Sequence, residues 1–422
     1  MEKKNRLTTW ILVALALGIV VGYILNTTMT STAPYSEAMT LITTMFLRLI
    51  KMIIAPLVFS TLVVGIARMG DAGEVGRVGV KTLAWFFIAS VMSLALGLVL
   101  VNLFRPGDAL AGTLANTAGP AVNLATSSLT LKDFVTHLIP SSIVDGMAKN
   151  EILQIVVFSL FFGLGAAAVG KKAEPMIDAI DGVAHVMLKV TGYVMQFAPL
   201  AVFAAVSGII AKEGLIVLKT YGVFMAEFYF GIAVLWGLLI AAGFVFLGKR
   251  IFDLLVEVRG PTILAFSTAS SEAAFPKTLE GLERFGVRNR IAAFVLPIGY
   301  SFNLDGSMMY CTFAAVFIAQ AYGIELSLGT QMTMMAVLML TSKGMAGVPR
   351  ASLVVIAATL SQFNIPEAGL VLLLSIDHFL DMARSATNVI GNSIATAVVA
   401  KWEGELTHPA DKDQDPALQP LT

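Results

Sequence analysis

Charge is scarce in this sequence. Only 13% of its 422 residues are Asp, Glu, Lys or Arg, against 57% hydrophobic, and mean hydropathy is +0.82. A soluble domain coats itself with about a quarter charged residues, so this shortage excludes an ordinary water-soluble globule. Lipid is left as the medium for most of the outer surface. The two signs balance at 28 residues each and no basic run stands out, which excludes nucleic acid as a partner. A single cysteine, Cys311, excludes an internal disulfide and a cysteine-based metal cluster. The four histidines, His137, His185, His378 and His408, form no HExxH pattern and none neighbours a nucleophile-like serine. The chain therefore reads as neither an enzyme nor a carrier of a resident cofactor.

Long apolar runs are abundant. Residues 10–25, 39–66, 82–103, 152–169, 180–210 and 221–247 can each cross a bilayer, which takes about 20 apolar residues in a helix. The start, MEKKNRLTTW followed by ILVALALGIVVGYIL, has the outline of a signal peptide. No small-residue cleavage site follows it, and it is read as the first span. Lys3, Lys4 and Arg6 precede the first span; Arg68, Arg77 and Lys81 follow the second, Lys171 and Lys172 the fourth, and Lys249, Arg250 and Arg259 the sixth. Every second connection is basic, which predicts cytoplasmic termini, with Lys212 and Lys219 mildly against the rule. Residues 106–150 then form a long external loop, and the polar stretch 403–422 reads as a disordered cytoplasmic tail.

Beyond Arg259 the runs shorten and break. The interruptions are Ser267 to Glu272 ended by Pro276, Asn303 to Ser307 (NLDGS), and Ser342 to Arg350 (SKGMAGVPR). The first and third sit inside hairpin-sized apolar regions, each followed by a longer span with polar residues. Basic residues at the exit of the first (Lys277, Arg284, Arg288, Arg290) and none over 321–331 give the two hairpins opposite entry, an inverted repeat. Broken helices in inverted repeats are how many secondary transporters build a site at the membrane midplane.

The last span carries Asp377, Asp381, Arg384, Asn388 and Asn392, spaced by 4, 3, 4 and 4 residues. They occupy an arc of roughly 60–80° on a helix. Each intramembrane charge costs about 3 kcal/mol, so this ridge requires protein or water opposite it. A salt-bridge set between helices is one reading. The assortment of two carboxylates, one guanidinium and two amides also suits a zwitterion with an extra carboxylate. Arg384 can fork a carboxylate, Asp381 can hold an ammonium, and Asn388 can donate. Asn303 and Asp305 beside Gly306 supply hard-cation ligands if the helix unwinds there, or an ordinary turn if it does not. Ser270, Ser271 and the Gly347-Val348 backbone can attract a carboxylate at half-helix ends, or be plain turns.

Taken together, SSE…P, NLDGS, AGVP and DMARSATN followed by VIGN resemble the dicarboxylate/amino acid:cation symporter family, the glutamate transporter homologues. The resemblance covers nearly the whole chain and is strongest toward bacterial proton- or sodium-coupled glutamate symporters. It implies an all-α membrane protein of eight transmembrane helices and two re-entrant hairpins, working as a homotrimeric elevator in the inner membrane. Scaffold segments would be 1–79 and 150–217, transport segments 80–149 and 218–402, with the tail at 403–422. Substrate would be an acidic amino acid, glutamate or aspartate, with a C4-dicarboxylate as the alternative. The resemblance gives it Arg384, Asp381, Asn388, Ser385, Ser307, Ser270, Ser271 and Val348. It places co-transported Na⁺ or H⁺ at Gly299, Asn303 and the carbonyl of Asn388, at Asp305, Asn303 and Ser90, and at the carbonyls of Ser301, Ser342, Lys343 and Met345. Asn392 stands where sodium-coupled members have Asp, and Phe86 and Ala89 where they have Tyr and Thr. Fewer oxygen ligands weaken Na⁺ binding, so protons are expected to share the coupling. Ala269 and Ala383 stand where relatives often have an Arg. The spare cation, Arg350, is expected to pair with Glu272 or Asp381, making these residues and Asp377 candidate charge switches.

Overall fold

The computed structural model describes residues 2–29, 31–69, 72–108, 139–214, 221–342, 351–366, 369–370, 373 and 376–407. Among these residues the architecture is helical, with one isolated antiparallel bridge, Val287 to Leu406. Helices satisfy their own backbone groups, as a lipid medium demands. The first half comprises α1 (Glu2–Thr28), α2 (Ala33–Met69), α3 (Ala72–Phe104), α4 (Ile143–Lys149), α5 (Ile152–Val169), α6 (Glu174–Val194) and α7 (Ala198–Glu213). The run predicted as one span over 180–210 is thus two helices. A 3₁₀ turn at Met195–Phe197 separates them, and Pro199, in the first turn of α7, has no N–H to continue the earlier ladder. The predicted loop over 106–150 contains α4, and residues 109–138 lie outside the described set.

In the second half, α8 (Gly222–Leu247) leads into α9 (Arg250–Thr268) and α10 (Ser271–Phe285), which pack side by side as a helical hairpin. Ala269, in the left-handed region at φ 48°, reverses the chain, and Ser270 caps α10 by accepting the Ala273 N–H. Helices α11 (Asn289–Phe302) and α12 (Asp305–Ala321) are two halves of one apolar run, broken at Asn303-Leu304 as the NLDGS stretch predicts. Helices α13 (Leu328–Thr341) and α14 (Ala351–Gln362) also touch; the segment between them falls outside the description from 343 to 350. Last comes α15 (Asp377–Trp402), buried at every position from Met382 to Ala400.

Two packing groups emerge. Helices α1, α2, α5, α6 and α7 pack on one another, and α8, α9, α10, α11 and α12 surround α15, with α3 against α12. The groups meet where α2 crosses α10 and α11, where α5 meets α11, and where α1 and α7 meet α9. Five stretches among the described residues are long and apolar enough to cross a membrane: Thr9–Thr28, Val75–Phe104, Gln154–Val194, Gly222–Leu247 and Asn289–Ala321. Helix α15 is kept off that set by its Arg, Asn, Ser and Thr side chains, which lower its hydropathy, and it is those side chains that the second group encloses.

The tail expectation needs correction at its start. Residues 403–407 are ordered against the protein: Glu403 takes Lys81 at 2.7 Å and Arg77 at 3.0 Å, and Glu405 takes Arg288 and Arg290. The Thr407 N–H donates to Gly286 O at 2.9 Å, completing the short pairing with the turn after α10. Paired charges and a local bridge provide the order that composition alone did not reveal.

Candidate functional site

The site forms where the α11–α12 break meets the polar ridge of α15. Asn303 and Leu304 leave helical geometry, so α12 begins with unsatisfied N–H groups. One of them, Gly306 N–H, donates to Asn388 Oδ1 at 2.9 Å, while Asn388 Nδ2 donates to Ser307 Oγ at 3.3 Å. Asn388, expected to hold ligand, therefore uses both ends of its amide to fasten the break. Two glycines permit the approach. A Cβ on Gly306 would lie 2.7 Å from Arg384 O and 2.8 Å from Arg384 Cα, and one on Gly391 would fall on Asp305 Oδ2.

Around the break lies a small oxygen-rich group. Asn303 Nδ2 donates to Asp305 Oδ2 at 2.9 Å and to Asn392 Oδ1 at 3.2 Å, and all three residues are wholly buried. Asn303 Oδ1 and Asn392 Nδ2 are buried without a hydrogen-bond partner among the described residues. An orphaned oxygen next to a carboxylate is a fitting donor set for a small hard cation. Gly299 lies one turn before Asn303, whose N–H closes onto its carbonyl at 2.8 Å. A second α3 serine joins the expected one. Ser93 reaches Asp305 Oδ1 at 3.3 Å, whereas Ser90 donates to Phe302 O at 3.5 Å. Ser90 and Ser93 share a helix face, and the register of α3 against α12 brings that face to the break.

A charged group occupies the other side. Arg384, 1% exposed, places Nη2 at 3.1 Å from Asp377 Oδ1 and 3.0 Å from Asp381 Oδ1. Its guanidinium lies over the Tyr310 ring at 4.0 Å, and Tyr310 donates its hydroxyl to Asp377 at 3.2 Å. Arg384 Nε and Nη1 have no hydrogen-bond partner among the described residues. Buried donors of this kind call for an acceptor, and a planar guanidinium offers them as a fork. Asp381, expected to meet Arg350 or a ligand's ammonium, is paired with Arg384. Asp377, a suggested switch, is the buried counter-charge of the same arginine. Sequence reasoning did not identify Tyr310; its position five residues after Asp305 on a polar-interrupted helix was the available signal. From outside this ring, Trp236 on α8 donates to Thr387 at 2.8 Å and sets the height of α15 against α8.

The remaining described candidates lie on or at the ends of α10, α11, α13 and α15. Ser385 is buried on α15 beside Arg384; Ser270 and Ser271 sit buried at the start of α10, which packs on α15. Glu272 lies in a recess lined by Ile54, Val58, Phe275, Pro297 and Tyr300, facing α2. Ser301 is in the last turn of α11, and Ser342, buried, bonds Met339 O at the end of α13. Lys343, Met345, Val348 and Arg350 lie outside the described residues.

This combination of a helix broken at NLDGS and a charged ridge enclosed by it accompanies a match to the sodium:dicarboxylate symporter family over residues 7–402. The chain belongs to that family. It is similar to a proton/sodium-glutamate symport protein of Geobacillus stearothermophilus, 39% identical over 99% of both chains. A namesake in Bacillus caldotenax is 40% identical, again over 99% of both. It is equally similar to a C4-dicarboxylate transport protein of Citrifermentans bemidjiense, at 41% over 94% of this chain and 90% of that one. The chain is thus a symporter of the dicarboxylate/glutamate family and a multi-pass membrane protein.

Proposed function

We propose that this symporter imports an acidic amino acid, glutamate or aspartate, together with cations. The observation that carries the reading is Asp381 at 3.0 Å from Arg384, with Asp377 already on the same nitrogen. Two carboxylates against one guanidinium leave a negative charge in excess. A C4-dicarboxylate adds two more charges and no counter-charge, and an unpaired buried charge costs several kcal/mol. An amino acid brings an ammonium for Asp381, while its side-chain carboxylate takes the free fork of Arg384. The relatives named for C4-dicarboxylates support the alternative substrate.

The wider reading is of eight spans and two hairpins, with α1, α2 and α5–α7 as a fixed scaffold of a trimer in the inner membrane, both termini cytoplasmic. The group around α15 moves as the transport unit. The break at Asn303-Leu304 and the α9–α10 hairpin support it. Cations bind at Asp305 and Asn303 with Gly299 and Asn392; Asn392, Phe86 and Ala89 reduce the oxygen count there, so H⁺ shares the coupling with Na⁺.

The test is uptake of labelled glutamate by the purified chain in liposomes, under imposed Na⁺ or H⁺ gradients. Aspartate should compete at least tenfold better than succinate. Stronger competition by succinate assigns the transporter to dicarboxylates instead.

A further inference from the structure

Helix α8 is apolar over its 26 residues except for one charged side chain, Glu227. Glu227 is half-buried, and its Oε2 is shut off from solvent with no hydrogen-bond partner among the described residues. It lies five residues into the helix, roughly 7–8 Å from Gly222, at the end opposite Lys249 and Arg250. Its helix face is shared with Phe224, packed on Phe317 at 4.3 Å, and with Gly231, where a Cβ would lie 2.9 Å from Leu100. Glu227 therefore stands on the flank of α8 that meets α3 and α12.

Ordinary structural roles do not account for it. It is past the first turn, where an acid would cap free N–H groups. Most charged groups on neighbouring helices are engaged elsewhere. On α3, Arg77 and Lys81 hold Glu403, and Arg105 just beyond it holds Asp108 at 2.6 Å. On α15, Arg384 holds Asp377 and Asp381, and Lys401 donates to Phe246 O. His378 stands near the height of Glu227, since Tyr229 on α8 donates to the carbonyl of the adjoining Phe379 at 2.7 Å, and among the described residues no ion pair joins the two. On α12, Asp305 meets Asn303 and Ser93, and Tyr310 meets Asp377. On α9, Arg250 bonds the carbonyls of Phe285 and Thr407, and Glu257 pairs with Arg284. Among the described residues none of these pairs with Glu227. Even one to two turns inside a membrane-crossing helix, an ionised carboxylate shut off from solvent is costly, and such a group is retained for use rather than for packing.

We propose that Glu227 is the group that takes up and releases the co-transported proton. The carboxylate accepts H⁺ from the outer side, crosses as a neutral acid with the moving unit, and returns the proton to the cytoplasm. A neutral carboxyl passes through hydrocarbon at far lower cost than its anion. This rests on the symport reading above, which leaves the proton's seat open.

The experiment uses the full chain in liposomes with a pH-sensitive dye inside. Wild type under an inward proton gradient should acidify the lumen when glutamate is added. Glu227→Gln should abolish that signal and cut gradient-driven uptake at least tenfold. Exchange of labelled for unlabelled glutamate at equal pH should stay within twofold of wild type and lose its pH dependence. Undiminished acidification in Glu227→Gln, or wild-type uptake driven by Na⁺ without acidification, overturns the proposal. If wild type carries succinate and not glutamate, the substrate reading fails, and the same dye assay with succinate decides Glu227. Should Glu227→Gln not fold, Glu227→Asp decides. A shifted pH profile with acidification retained supports the assignment, and an unmoved profile overturns it.

Discussion

Asp381→Asn changes the charge of the site while leaving its shape nearly intact. In the wild type, Asp381 Oδ1 is 3.0 Å from Arg384 Nη2 and the side chain is 16% exposed, so ligand can reach it from the open side. Asp377 remains at 3.1 Å in the variant, so Arg384 keeps a counter-charge and the excess negative charge disappears. An amino acid loses the partner of its ammonium. A close, partly desolvated charge pair is worth about 2–4 kcal/mol, which at 1.4 kcal/mol per decade is roughly 30–700-fold in affinity. Succinate brings no ammonium, and for it the substitution removes a repulsive carboxylate; its affinity should hold or improve. The assay is inhibition of uptake, or calorimetric titration of the purified protein, with glutamate, aspartate and succinate. If Asp381→Asn weakens glutamate and succinate by the same factor, or leaves glutamate unchanged, the ammonium assignment is wrong.

Arg384→Ala strands the buried carboxylate of Asp377 and the half-buried one of Asp381 and should destabilise the protein by about 3–5 kcal/mol, read as a drop in Tm. Arg384→Lys should recover part of that stability but little transport, since a point charge neither stacks on Tyr310 nor forks a carboxylate. Gly391→Ala forces a methyl onto Asp305 Oδ2 and should cost about 1–3 kcal/mol, with a loss of Na⁺-induced stabilisation in the same melting assay. Glu403 is the pH-sensitive tie. Burial raises its carboxyl, but hydrogen bonds and charge from Lys81 and Arg77 outweigh that and hold it below the ordinary 4.5. Its contribution is therefore full above pH 4.5 and is lost as pH falls through the depressed value. Glu403→Gln should lower Tm at neutral pH and flatten the fall of Tm on the acid side. An unchanged acid limb counts against the tie.

Much of the site was visible as periodicity. The five polar residues of the last span keep a 3.6-residue repeat, so their common face was readable without coordinates, and the structure buries it against α11 and α12. The NLDGS break was equally local, because Gly and side-chain amides weaken a helix wherever they fall. Other features were not local. Ser93 meets Asp305 because of how α3 is rotated against α12, a relation between segments some 210 residues apart. The order of residues 403–407 depends on Arg77, Lys81, Arg288 and Arg290, whose convergence no composition records.

The amino-acid sequence alone determined the medium, the family and the polar ridge, since hydropathy and helical period act within single segments. Only the tertiary structure decided what faces that ridge. It set Arg384 between two carboxylates over Tyr310, gave both ends of Asn388 to the break, and left Glu227 without a partner among the described residues. Those outcomes depend on the rotation and register of packed helices, which are fixed by many weak contacts at once and are written at no single position.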